Sequence, residues 1–140
     1  MEEKQEKILE FLKSQTICVV ATIDAENNRP ESAVVAFSET KNLEIIFGTF
    51  SNTRKFINLL KNSNIAFTIG WEDISIQYEG VARLVEGSGE EECRNIHLAK
   101  NPASKKYAFH ENQKFFKVTP KWIRYSDFSF DPEKVFEVAF

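Results

Sequence analysis

The sequence predicts a single, mainly β domain with flanking helices, in which about six antiparallel strands curl into a barrel. Three observations lead there. Apolar, β-branched runs of strand length recur along the chain, joined by short turn-forming clusters rather than long crossovers. Helical periodicity is confined to a few stretches. The 140 residues carry no repeat, no low-complexity segment and no Pro/Gly/Ser-rich linker, so residues 1–140 form one domain. A small sheet rids itself of unpaired edges most simply by closing on itself.

Each element follows from its residues. Glu2 to Gln15 sets Ile8, Leu9, Phe11 and Leu12 at helical spacings among Glu and Lys, an amphipathic helix. Thr16 to Ile23 is β-branched and apolar, a buried strand. Asp24 to Asn28 has turn chemistry. Pro30 to Phe37 is a second strand, with Pro at its first position where no ladder bond is lost. Leu43 to Gly48 is a third. Ser51-Asn52 then opens and caps a helix reaching Asn62, with Phe56, Leu59 and Leu60 on one face. Ile65 to Trp71 and Ile74 to Val85 are strands around a tight Glu72-Asp73 turn. Gly87-Ser88-Gly89 reads as a loop. Glu90 to Ala99 is helical, and Pro102 opens another short helix. Lys114 to Phe128 is extended, and Val135 to Phe140 is a final strand.

Composition excludes several functions. The balance of 18 basic and 21 acidic residues, net −3, opposes a dedicated nucleic-acid binder. No apolar run spans a bilayer. The opening Met-Glu-Glu-Lys lacks the profile of a secretory signal. Cys18 and Cys93 fit neither a CxxC pattern nor a disulfide framework, which points to the cytoplasm. The 13 Phe are many for a chain whose one Met is the initiator.

The stretch Gly48-Thr49-Phe50-Ser51-Asn52-Thr53-Arg54-Lys55 leaves a strand, turns and enters a helix. It lacks the glycine and Lys-Ser/Thr pair of a Walker A loop. The first-turn amides of a helix are free, and an anion there offsets the cost of two cations, Arg54 and Lys55, at the positive end of the dipole. The plain alternative is a capped helix with two solvated bases. Cys93 and His97 lie four apart on a predicted helix, but a zinc site needs further ligands, so a half-buried Cys beside a surface His is expected. No GxSxG elbow or oriented Cys/His pair supports nucleophilic catalysis. Lys114-Phe115-Phe116-Lys117 and Lys121-Trp122-Ile123-Arg124-Tyr125 interleave bases with aromatics. That pattern can stack single strands, but an alternating strand with Trp122 and Arg124 on one face suits the acidic chain better.

Four blocks, in order, resemble the pyridoxamine 5′-phosphate oxidase-like family of flavin-binding split β-barrels. They are Cys18–Asp24 through Asn28-Arg29-Pro30; Ser51-Asn52-Thr53-Arg54-Lys55 with Asn58-Leu59 and Lys61-Asn62; Ile76–Ala82; and Phe116–Tyr125. The resemblance covers roughly residues 8–128. It implies a six-stranded antiparallel split barrel holding flavin mononucleotide (FMN) at a homodimer interface. It makes Thr53, Arg54 and Lys55 phosphate-binding residues, with Ser51 beside them. The backbone of Ser32, Ala33, Val34 and Val35 runs beside the flavin ring, and Gly48 and Thr49 touch the cofactor. Either Gln77 or Ser75 faces the ring. Trp122 and Arg124 match C-terminal cofactor contacts. Asn28 stands where the family has a turn glycine, and Asn tolerates the same left-handed backbone. The tail from Glu133 to Phe140 has no Arg-x-His substrate grip, so the chain resembles a shorter general-stress or flavin-reductase-like relative.

The function implied is an FMN-dependent oxidoreductase taking hydride from a small-molecule donor such as NAD(P)H. The rival is a carrier or sensor on the same barrel holding FMN, a deazaflavin or haem, with His97 or His110 as a haem ligand. Part of the Phe excess, Phe115, Phe128 and Phe130, is expected to line a dimer face.

Overall fold

The computed structural model describes residues 2–140. The chain order is α1 (Glu3–Ser14), β1 (Ile17–Asp24), β2 (Arg29–Ala36), β3 (Ser38–Glu39), β4 (Ile45–Phe50), α2 (Arg54–Lys61), β5 (Asn64–Ile69), β6 (Ile74–Val85), α3 (Ser88–Lys100), a 3₁₀ turn (Pro102–Ser104), α4 (Lys105–Ala108), β7 (Gln113–Asp127) and β8 (Lys134–Ala139). The expected mainly β fold is present, with eight strands among the described residues rather than six. The unanticipated strand is β3, two residues long, while β8 is the final strand expected over Val135 to Phe140.

All strand pairs are antiparallel, in the order β2-β1-β5-β6-β7-β4-β3. The long strands β6 and β7 are the spine. β4 pairs with the first half of β7 and β8 with its second half. Pro120 falls between the two, opposite the bulge at Glu79/Gly80, where its missing N–H costs no ladder bond. The sheet curls but does not close by hydrogen bonds. β2 ends one side of the path and β3 the other, so the barrel is split and no strand among the described residues pairs with the outer edge of β2.

Side chains alternate along β1, Cys18 and Val20 inward and Val19 and Ala21 outward. Phe47 stacks on Phe116 at 5.6 Å and meets Phe67 edge-on at 6.0 Å, and Phe67 meets Tyr78. Five of the 13 Phe (Phe37, Phe47, Phe56, Phe67 and Phe116) are buried in the main core, where each such pair contributes about 0.5–1.5 kcal/mol beyond burial. A smaller core of Ile46, Val85, Cys93 and Phe115 lies under α3.

Three expectations are corrected. Phe115 is wholly buried, because its register on β7 turns it toward α3, whereas Phe128 and Phe130 are exposed. Gly87-Ser88-Gly89 is not a loop. Gly87, at φ 61°, turns the chain into α3, which starts at Ser88. His97 is buried with Cys93 on the inner face of α3 rather than on the surface. Asn28 does take the left-handed turn, at φ 56°. No helix among the described residues is long and apolar enough to cross a membrane.

Candidate functional site

The site begins at the N-terminus of α2. The cap is Thr53, not Ser51 or Asn52. Its hydroxyl accepts from the Phe56 amide, donates to the Phe50 carbonyl at 2.9 Å and lies 2.7 Å from Thr49 Oγ1. That hydroxyl is spent on the turn. The amides of Arg54 and Lys55 find no acceptor among the described residues, so two donors project from the positive end of the helix. Lys55 is half-buried and no carboxylate lies within ion-pair distance among the described residues. Burial alone pulls its ammonium below the usual lysine range. Arg54 is exposed and pairs with Glu31 at 3.0 Å. These groups line a cavity of about 380 Å³ with Val20, Thr22, Ser32, Ala33 and Asn52.

A second cavity of about 300 Å³ shares Thr53 and Lys55 and continues along the free edge of β2. Val34, Val35 and Ala36 form one side, Gly48, Thr49 and Phe50 the floor, and His97, Ser104, Tyr107 and Gln113 the far wall. A Cβ at Gly48 would meet the Gln113 side-chain amide, which would have to swing aside. His97 places Nδ1 3.2 Å from Ser38 Oγ and its ring edge-on to Phe115. Burial, with Lys100 nearby, lowers its pKa to about 4, so the imidazole is neutral at physiological pH. His110 lies outside this wall, its Nδ1 accepting from the Asn112 amide.

The outward face of the sheet carries a different set. Gln77 stands opposite Thr68 and Arg124, and Trp122 opposite Glu79. Ser75 shares this face. Trp122 Nε1 and Arg124 both bond Glu137 of β8 at 2.8 Å. Ala21, Ala66 and Ser32 make the face shallow, and Val34, 65% exposed, sits where it meets the cleft.

The family model described as pyridoxamine 5′-phosphate oxidase matches residues 5–127. The chain belongs to this family. Among curated relatives of this pyridoxamine 5′-phosphate oxidase family member, the UPF0306 protein Cj1449c of Campylobacter jejuni is 29% identical over 123 residues, covering 87% of this chain and 88% of that one. Among solved structures, a heme binding protein from Mycobacterium smegmatis superposes with a TM-score of 0.84 at 16% identity. It covers 99% of this chain, which spans 59% of that protein's length. General Stress Protein 26 from Bacillus anthracis gives a TM-score of 0.76 at 22% identity, covering 98% of this chain and 100% of that one. At these identities the superpositions establish the fold.

Of the residues singled out in this oxidase-family chain, Ser32, Ala33, Val34, Val35, Gly48, Thr49, Thr53, Arg54 and Lys55 line the two joined cavities. Ser51 lies beside them with its amide bonded to the Asn112 carbonyl. Ser75, Gln77, Trp122 and Arg124 lie on the outward face. Sequence reasoning missed Glu31, Gln113 and Tyr107, gave Asn52 only as a helix cap, and offered His97 as a haem ligand only in the rival reading. Only the order of the sheet makes these residues neighbours. No group of three or more His, Cys, Asp or Glu suited to a metal occurs among the described residues.

Proposed function

We propose that this chain is an FMN-binding oxidoreductase that works as a homodimer. The observation that carries the reading is Lys55, a half-buried cation with no carboxylate partner among the described residues, beside two helix amides that find no acceptor among them, at the junction of two cavities. A phosphate monoester suits the first cavity. A planar ring system suits the second, where the free N–H and C=O groups of β2 bond its edge. The flavin, when bound, supplies hydride acceptance and electron transfer. The chain's own residues hold it. Lys55 and the Arg54 and Lys55 amides take the phosphate, Ser32 to Val35 align the ring, and Gly48 leaves room for it.

A second copy completes the site in this reading. Its outward face brings Trp122, Arg124 and either Gln77 or Ser75 over the cleft mouth at Val34. The donor is a small molecule such as NAD(P)H. Purified protein, or protein given FMN, then shows flavin absorbance, and Lys55→Ala binds FMN roughly ten- to hundredfold more weakly while keeping its melting temperature.

The carrier reading keeps one specific support. His97 is a neutral imidazole in the cleft wall, the form that ligates haem iron, and the M. smegmatis neighbour is described as heme binding. A Soret band in place of flavin bands selects it. A bound deazaflavin gives a spectrum of its own, and turnover with reduced nicotinamide separates an enzyme from a carrier.

A further inference from the structure

The anion cavity contains an anion of its own. Glu31 lies on β2 with its carboxylate turned toward α2. One oxygen accepts from Asn58 Nδ2 at 2.8 Å, and the other pairs with Arg54 at 3.0 Å. Asn58 is buried, and the same Nδ2 also donates to Thr22 Oγ1 at 3.0 Å. The carboxylate is therefore held in place from within the fold. Glu31, Arg54 and Lys55 all line the one cavity, which leaves it one net positive charge instead of two. The first turn of α2 has no acidic residue of its own, and Glu31 supplies the negative charge that the helix N-terminus and its two cations favour.

We propose that Glu31 is a built-in counter-anion that sets the affinity of the phosphate site. It neutralises Arg54 while the site is free. An incoming phosphate must share the guanidinium with the carboxylate and sit near its charge. Lys55 and the helix amides then carry most of the phosphate's hold, and the ligand loads reversibly. This rests on the phosphate-site reading above.

The test uses Glu31→Gln, whose amide oxygen still accepts from Asn58 while the charge is gone. Glu26→Gln removes the same charge from an exposed pair with Lys61 outside the cavity. FMN, riboflavin and inorganic phosphate are titrated against the full chain and both variants. FMN and phosphate are expected to bind Glu31→Gln about tenfold tighter or better, the effect of removing a like charge a few ångströms away. Riboflavin, without the phosphate, and Glu26→Gln are expected to show no such gain. Equal or weaker FMN and phosphate binding by Glu31→Gln overturns the counter-anion role, and weaker binding makes Glu31 a ligand contact. An equal gain for riboflavin, or in Glu26→Gln, also overturns it. If neither phosphate nor FMN binds any of the three proteins, the phosphate-site reading falls with it.

Discussion

At the scale of single residues, Lys55 and Thr53 divide the work of the α2 turn. Thr53 builds the turn, and Lys55, which lines both cavities, is the residue proposed to take the phosphate. Lys55→Ala removes a charge-assisted contact of about 1.5–3 kcal/mol, so FMN affinity should fall roughly ten- to hundredfold with little change in melting temperature. Thr53→Ala should instead lower stability by about 1 kcal/mol, the usual cost of a lost cap, measurable by urea unfolding without ligand. Arg54→Ala should weaken FMN binding less than Lys55→Ala, because Glu31 already engages the guanidinium. The Thr53-Arg54-Lys55 run was legible because the three residues and the turn before them are contiguous. Glu31 was not. On a strand it resembles any solvated carboxylate, and its partners Arg54 and Asn58 join it only once α2 packs beside β1 and β2.

At the scale of elements, α3 holds its buried His97 against β3 and β7. The folded pKa of about 4 lies below the ordinary 6.5, so the unfolded chain binds this proton more readily. Its contribution to stability is complete above about pH 6.5 and is lost as pH falls toward about 4, by at most roughly 1.4 kcal/mol per pH unit. Chemical denaturation at stepped pH should show that slope, and His97→Asn should flatten it. An unchanged slope in the variant would assign the titration to other groups. The sequence located nearly every long element because periodicity and turn residues agree along each. It placed the start of α3 too late because two glycines resemble a loop. Gly87 does make the turn, but a Cβ at Gly89 would meet only Val85 Cβ at 3.8 Å, so that glycine is simply tolerated in the helix. The two-residue β3 is too short to leave a periodic signal.

At the scale of the whole molecule, the split in the barrel matters most. An open sheet leaves the β2 edge free for a ligand, and it leaves a shallow outward face of Ala21, Ala66 and Ser32 without cover. Closure was the expectation from edge avoidance alone. The split is set by the long-range order of strands, which local sequence does not encode. In the proposed dimer a second copy over that face would join Trp122 and Arg124 to the cleft. Sedimentation should therefore give twice the mass of one chain. Val34→Asp should yield a folded monomer that has lost cofactor affinity, and a variant that remains dimeric would move the interface elsewhere. The most direct test of the central claim is a spectroscopic titration of the purified protein with FMN, run beside Lys55→Ala. The central claim requires saturable flavin binding by the parent chain and binding weakened roughly ten- to hundredfold in the variant. No uptake of FMN by the parent, or equal uptake by both, would contradict it.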